Sequence, residues 1–219
     1  MRVYILAITV TCLAISCKDK SAEKKNGPAT PVTADTARLV PDTSKAVVND
    51  TGNHALLSIG EEVLKAFKNK DYARLAAIAH PDGVRFSPYA YIDSTHDKVI
   101  DVASLQLWAD PKKRAKILWG TTDPQSENIK GTIDDYSKRF VYDVDFLTAP
   151  KKQVNNSTHA GTTLNNVDAF YPGDEYAEFY FPGFDEKYGG MDYRTLRLVF
   201  RQLNGTYRLV GVIHDEWTP

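Results

Sequence analysis

The chain has 219 residues, and its 27 lysines and arginines against 28 aspartates and glutamates give a formal net charge of −1 at pH 7. A chain this close to neutral offers no electrostatic case for binding nucleic acid or an acidic membrane surface. Cys12 and Cys17 are the only cysteines. Disulfide bonds, cysteine nucleophiles and thiolate metal sites are therefore excluded from everything that follows them.

The amino-terminal segment has the pattern of a secretory signal peptide. A positive start at Arg2 is followed by the mostly apolar run Val3–Ile15, and the small residue Ser16 then precedes Cys17. This order of charge, apolar stretch and small residue is typical of a segment removed on export. A transmembrane anchor is the alternative, but crossing a bilayer takes about 20 apolar residues, and this run ends at Lys18.

The residues Leu13–Cys17 resemble the cleavage site of bacterial lipoprotein signals of the Bacteroidota type. The resemblance implies removal of residues 1–16 and acylation of Cys17, and two or more acyl chains anchor a protein stably. Cleavage before Cys12 and a plain secretory signal are the alternatives. Under the enterobacterial sorting rule, Lys18 favours the outer membrane. We therefore expect a lipid-anchored protein of the cell envelope, on its periplasmic or surface face.

Residues 17–52 are predicted to form a lipidated, disordered tether. A lysine-rich start leads into a mixture of Pro, Thr, Ala and Asp, and no aromatic residue occurs between Tyr4 and Phe67. Such a segment cannot bury enough apolar surface to offset its ordering entropy. A coil of this length spans roughly 30–35 Å, so it would lift the following domain off the lipid surface.

Residues 53–219 are predicted to form a single globular domain, which is within the usual size range. Two helices are predicted at its start, the first capped by Asn53 and the second by Asp71. Their apolar residues follow helical spacing: Leu56, Ile59, Val63 and Phe67 in the first helix, and Tyr72, Leu75, Ala76 and Ile78 in the second.

A strand is predicted over Val84–Phe86 and Tyr89–Ile92, with an interruption at Pro88. If the interruption does not change the register, the four polar and aromatic residues on one face could line a pocket that binds an anion or a sugar. The alternative is a solvated sheet face with tyrosines packed under a helix. The four candidate binding residues are Arg85, Ser87, Tyr89 and Tyr91.

Two further helix starts follow. Asp110 before Pro111 is a cap and first-turn pair, which predicts a helix through Leu118. Thr132 and Asp135 resemble a capping box, which predicts another helix start.

The second half of the chain is rich in strands. Glu175–Phe181 is bounded by turn residues, and Arg194–Leu203 and Tyr207–His214 flank the dipeptide Asn204-Gly205, the strongest short hairpin signal. The first arm alternates apolar residues with Arg197 and Arg201, which predicts a half-buried antiparallel strand.

The second arm of this hairpin is apolar on both faces, which places it in the centre of the sheet. Together these elements predict an α+β fold, with the amino-terminal helices packed on a curved antiparallel sheet.

Two resemblances bear on this fold. The order of two helices, the segment HPDGVRF at 80–86 and a late hairpin resembles the NTF2-like superfamily. That resemblance implies a cone with a pocket, used by some members for isomerase or hydrolase chemistry and by others for binding only. Three segments, at 83–93, 183–200 and 209–217, resemble an uncharacterised family of bacterial lipoproteins, which supplies no catalytic residues.

The end of the last strand carries the first candidate for catalysis. His214 beside Asp215 could act as a general base with an orienting acid. Neighbours in a strand point to opposite faces, however, so His214 and Glu216 share one face while Asp215 and Trp217 share the other. The alternative is a polar strand end with Trp217 sealing the core.

Glu178 is the other candidate acid. It shares a strand face with Tyr176 and Tyr180, and an inward carboxylate among tyrosines could have a raised pKa. The alternative is an outward charge. The acidic residues around Gly189 do not have the spacing of a calcium loop, so neither a metal site nor a cofactor is expected.

Two functions remain. The first is a non-catalytic envelope protein that binds a small ligand, a glycan or a protein, and it predicts an exposed aromatic patch. The alternative is an NTF2-like pocket enzyme, a hydrolase or isomerase, and it requires His214 or Glu178 to face Arg85 across a concave pocket.

The Cys17→Ser variant should leave the membrane fraction and appear in the soluble envelope fraction, because it removes the only acylation site of the predicted signal. Cell fractionation with immunoblotting measures this. Cys12→Ser is the matched control and should stay with the membrane. Membrane association of both variants would contradict acylation at Cys17.

Overall fold

A long hairpin lies at the centre of the computed structural model, which describes residues 50–122, 127–158 and 164–217. Its arms are β7 (Arg194–Leu203) and β8 (Thr206–Glu216). Asn204 and Gly205 in the turn have φ angles of 52° and 73°, and two positive φ angles are what the favoured two-residue hairpin turn requires. The predicted hairpin is confirmed.

The hairpin belongs to a curved, unclosed sheet of six strands in the order β2-β1-β8-β7-β6-β5. β8 has a neighbour on each side, which confirms its central position. Every pair is antiparallel except β1 with β8, which is parallel. The remaining strands of this sheet are β1 (Val84–Ser87), β2 (Lys98–Ile100), β5 (Lys151–Val154) and β6 (Glu175–Phe181).

Helices pack on a curved sheet, so the α+β fold class is confirmed. The five described helices are α1 (Asp50–Lys68), α2 (Tyr72–Ile78), α3 (Val102–Leu107), α4 (Ile133–Phe140) and α5 (Val167–Phe170). Of these, α1, α2 and α4 lie on one face of the sheet and α5 lies on the other. A separate two-stranded sheet consists of β3 (Ile117–Thr121) and β4 (Asn128–Gly131). Short 3-10 turns lie at Pro111–Lys113, Phe146–Thr148 and Glu186–Tyr188.

Helix α1 lies directly on strand β6. A Cβ atom at Gly60 would come within 3.1–3.3 Å of Phe179 and Ala177, so a glycine here permits the close approach. The predicted cap at Asn53 is wrong, because α1 already includes residues 50–52, which the sequence assigns to the tether.

Two of the remaining predicted caps, Asp71 and Thr132, are confirmed as helix starts. The Asp71 carboxylate accepts a hydrogen bond from the Arg74 backbone N–H at 2.9 Å. Thr132 and Asp135 form the predicted capping box at the start of α4, where each side chain accepts a hydrogen bond from the other residue's backbone N–H.

The predicted helix from Asp110 to Leu118 is wrong. Asp110 caps only a 3-10 turn, and the chain then enters β3. The reason is Trp119, which is fully buried when β3 pairs with β4. There its ring stacks on Tyr136 at 4.3 Å, and its indole N–H donates to the carbonyl of Gly131.

The second face of the sheet is also covered, which the alternation along β7 did not predict. Arg197 is fully buried, whereas Arg201 is exposed as predicted. The covering segments contribute Ile92 and Val167 to an apolar cluster on this face. The side-chain amide of Asn166 joins these segments, because it accepts from the backbone N–H of Ile92 and donates to its carbonyl.

Candidate functional site

The carboxyl end of β8 delivers side chains to both faces of the sheet. His214 packs edge to face on Phe140 of α4, with ring centroids 6.0 Å apart, so it lies on the helix side. Asp215 lies on the second face with Arg197. The predicted alternation is therefore present, but Trp217 is 44% exposed and does not seal the core.

A buried ion network occupies the second face. The Arg197 guanidinium donates through Nε to Glu178 Oε2 at 2.7 Å and through Nη2 to Asp215 Oδ2 at 2.9 Å. Tyr193 donates its hydroxyl to the other Asp215 oxygen at 2.9 Å. Arg197 and Glu178 have no exposed surface. The candidate acids Glu178 and Asp215 therefore neutralise the buried charge of Arg197.

Neutral donors complete the coordination of Glu178. The Gln153 side-chain amide and the Thr158 backbone N–H both donate to Glu178 Oε1, at 2.7 and 2.8 Å. The carboxylate points inward, as one of the two predictions had it, but it is paired rather than alone. Each of its oxygens is already occupied by a protein donor.

The four predicted binding residues do not share a face. β1 ends at Ser87, and the chain leaves the sheet at Pro88, which has no N–H to continue a strand ladder. Arg85 and Ser87 lie on the second face. Tyr89 packs on Phe140 on the helix side, and Tyr91 is exposed to solvent.

Asp97, which the sequence reasoning missed, holds the first two of these residues. Its carbonyl accepts from the Arg85 guanidinium at 3.3 Å, and its carboxylate accepts from the Ser87 hydroxyl. Burial raises the pKa of Asp97 to about 6, although hydrogen bonds from Ser87 and Asp93 oppose the shift. No pattern in the sequence links Asp97 to a strand ten residues earlier.

On the helix side, three titratable side chains meet, and we call Asp143, His214 and Glu216 the β8-end cluster. The His214 Nε2 atom lies 3.5 Å from Asp143 Oδ1. Arg194 contacts both carboxylates, at 2.9 Å to Asp143 and 3.2 Å to Glu216, and Arg139 pairs with Glu216. His214 has no exposed surface.

The charges around Asp143 stabilise its ionised form. Burial raises the pKa of this carboxyl, but contact with His214 and the positive charge of Arg194 outweigh the burial and hold the pKa below its ordinary value. Asp143 lies between α4 and β5, some 70 positions before His214, so no local pattern in the sequence predicts that the two side chains meet.

The arrangement required of a pocket enzyme is not formed. His214 and Arg85 lie on opposite faces of the sheet. Glu178 shares the face of Arg85, but strands β7 and β8 lie between them, a separation of roughly 14 Å at the usual strand spacing. A cavity of about 280 Å³ opens between α4 and β4 instead, and its lining includes Arg139 and Phe140 but neither His214 nor Glu178.

The connection from β6 to β7, residues 182–193, is called the apical loop. It exposes Phe184, Tyr188 and Met191 to 55%, 46% and 48%. Trp217 lies at the same end of the sheet, because Phe181, Arg194 and Glu216 are paired neighbours across β6, β7 and β8. The binding hypothesis predicts an exposed aromatic patch, and these exposed side chains are the candidates for it.

The backbone of the apical loop is held in place. The Asp192 carboxylate accepts from the backbone N–H groups of Phe184 and Asp185, at 2.9 and 2.8 Å. Phe184 also stacks on Phe181 at 5.4 Å. The loop therefore presents its apolar side chains on a supported scaffold.

The predicted signal peptide, Cys17 and residues 17–49 of the tether lie outside the described residues. Among the helices that are described, none is both long and apolar enough to cross a membrane.

No protein-family model matches the chain, and no curated protein matches it. Two solved structures are similar to it. One is a DUF4783 family protein from Bacteroides ovatus, with 9% identity, 72% of this chain and 94% of that chain covered, and a TM-score of 0.30. The other is a designed NTF2-like protein, with 13% identity, coverages of 76% and 98%, and a TM-score of 0.30.

Arg197→Met should reduce the free energy of unfolding by about 3–5 kcal/mol, because it leaves Glu178 and Asp215 buried without their cation. Arg201→Met is the matched control, since Arg201 lies on the same strand and binds Asp174 at the surface. It should cost less than about 1 kcal/mol. Urea unfolding followed by circular dichroism measures both values, and equal losses would contradict a structural role for the buried network.

Asp97→Asn should stabilise the protein more at pH 7.5 than at pH 4.5. A carboxyl whose pKa rises from 3.8 to about 6 on folding lowers stability progressively as pH increases between those values. Melting temperatures of the variant and the parent at both pH values test this.

Asp101→Asn is the control, at the cap of α3. The hydrogen bond from the Ser104 backbone N–H holds the pKa of Asp101 below its ordinary value, so its contribution to stability is lost only below about pH 4. Its difference from the parent should not change between pH 4.5 and 7.5. A constant difference for Asp97→Asn as well would contradict the assignment of a raised pKa.

Proposed function

We propose that this chain is a lipid-anchored protein of the cell envelope whose domain binds another envelope protein and performs no catalysis. The binding surface is the apical loop together with Trp217. The observation that carries the proposal is the exposure of Phe184, Tyr188 and Met191 on a loop whose backbone is held by Asp192.

The composition of this surface supports a protein partner. Aromatic residues and methionine are enriched in the cores of protein interfaces, and rigid aromatic anchors contribute most of the binding energy. Because Phe184 is stacked on Phe181, it loses little further freedom when it is covered.

The charges of the apical loop argue against an anionic lipid surface as its partner. Asp185, Glu186 and Asp192 stand against Lys187, so the loop is acidic overall and would be repelled by anionic headgroups. A small ligand is also disfavoured, since small molecules bind in concave sites and these side chains are exposed on a surface loop.

The burial of the candidate acids supports a non-catalytic role. His214 and Glu178 have no exposed surface, and Asp215 is 4% exposed. A general acid or base must come within hydrogen-bond reach of its substrate. Glu178 and Asp215 instead accept hydrogen bonds from Arg197, and His214 packs on Phe140. Arg85 donates to the backbone carbonyl of Asp97.

The predicted tether suits such a role. An anchored Cys17 followed by a coil spanning roughly 30–35 Å confines the domain to a shell near the membrane. Confinement raises the effective concentration of a partner anchored in the same membrane, so a modest interface on the apical loop would be sufficient.

Site-specific photo-crosslinking in intact cells tests the binding surface. With p-benzoylphenylalanine in place of Phe184, we expect a discrete adduct with one envelope protein after irradiation. The matched control places the same residue at Leu107, which is similarly exposed on α3, and should give no adduct. Adding Tyr188→Ser to the variant with p-benzoylphenylalanine at position 184 should reduce the yield of the adduct, because it removes a second aromatic side chain from the proposed interface.

Absence of an adduct at position 184, or equal adducts at positions 184 and 107, would contradict the proposal. An adduct at 184 that persists with Tyr188→Ser would show proximity without an interface and would contradict it as well.

A further inference from the structure

The β8-end cluster offers a set of metal ligands that the proposed function does not use. Asp143, His214 and Glu216 each supply one ligand atom, and these atoms all lie within 4.8 Å of one another. Glu216 is nearly buried, His214 is fully buried and Asp143 is partly exposed. One imidazole and two carboxylates form a ligand set that zinc and related transition-metal ions bind.

The distance between two of these atoms fits a shared ion better than a hydrogen bond. His214 Nε2 and Asp143 Oδ1 are 3.5 Å apart, whereas such hydrogen bonds usually span about 2.7–3.2 Å. Two ligands each about 2.0–2.1 Å from a tetrahedral zinc ion lie roughly 3.3–3.4 Å apart.

Both atoms also lack any hydrogen-bond partner among the described residues. His214 Nε2, His214 Nδ1 and Asp143 Oδ1 are buried and unpaired. Buried polar groups are nearly always paired, so a buried, unpaired nitrogen and oxygen that lie 3.5 Å apart are available as ligands for an ion.

We infer that Asp143 Oδ1, His214 Nε2 and a Glu216 carboxylate oxygen bind a divalent transition-metal ion, with Zn²⁺ as the best fit. The imidazole disfavours Mg²⁺ and Ca²⁺, which prefer oxygen ligands. Three protein ligands leave a fourth tetrahedral position for water.

Arg194 orients the two carboxylates for this role. Its Nε donates to Asp143 Oδ2 at 2.9 Å, which turns the other oxygen, Oδ1, toward His214. Its Nη2 lies 3.2 Å from Glu216 Oε2. Groups that hold the outer oxygens of ligating carboxylates are a regular feature of metal sites.

Arg139 competes with the ion for Glu216. Its guanidinium pairs with Glu216 Oε1, and a divalent ion at the cluster would repel it. The Arg139 side chain is 53% exposed, so it can move into solvent when the ion binds. Removal of this charge should therefore strengthen metal binding.

The test uses the full chain in detergent with Cys12→Ser and Cys17→Ser, so that no thiol competes for the ion. After treatment with a chelator, Zn²⁺ is titrated by calorimetry, and Co²⁺ is added as a spectroscopic probe of coordination. We expect one ion per chain and the visible absorption of four-coordinate Co²⁺. Asp143→Asn and His214→Gln should each weaken binding about tenfold or more, and Arg139→Gln should tighten it.

His96→Gln is the matched control, because His96 also contacts a carboxylate, that of Asp93 at 2.7 Å, but lies outside the β8-end cluster. The affinity of the His96→Gln variant for zinc should equal that of the parent. Asp143 is partly exposed, so Asp143→Asn keeps the test valid if His214→Gln fails to fold. No stoichiometric binding, or equal affinities in the parent and Asp143→Asn, would overturn the inference. Tighter binding by Arg139→Gln would support it, and weaker binding would count against it.

Discussion

The ion pairs of Arg197 allow the central sheet to be covered on both faces. Leu196 and Leu198 face the helices, whereas Val199 and Ile213 face the second apolar cluster. A guanidinium enclosed between such layers requires compensating charge, which Glu178 and Asp215 supply from the two adjacent strands. A slip of one residue in either strand would move a carboxylate to the wrong face, so this network also selects the register.

The alternation of β8 divides the polar residues at its end into two separate sets of charges. On the second face, two carboxylates share the single guanidinium of Arg197, and neutral donors such as Gln153 and Tyr193 complete their coordination. On the helix side, the two carboxylates of the β8-end cluster are balanced by Arg139 and Arg194. The consecutive residues His214, Asp215 and Glu216 therefore do not meet in one site, because Asp215 lies on the opposite face from the other two.

Features with a local cause could be predicted from the sequence, and features that depend on distant partners could not. The Asn204-Gly205 turn and the Thr132 capping box contain their whole signal within a few residues. The cap at Asp110 is also local and is formed, but burial of Trp119 in β3 prevents the predicted helix from following it. Alternation along β7 looks the same whether its polar face meets solvent or a second layer, so the burial of Arg197 had no sequence signal. The contact between Asp143 and His214 joins residues some 70 positions apart, so it depends on the fold.

The two buried charge sets differ in their ability to change. Arg197 has no exposed surface, and its departure would leave two carboxylates without compensation, so that network can only persist or unfold. Arg139 reaches solvent and can leave Glu216 while Arg194 stays. Arg194 is also paired with Phe181, the last residue before the apical loop. The β8-end cluster, which Arg139 can leave, is therefore also the one that Arg194 connects to the start of the apical loop.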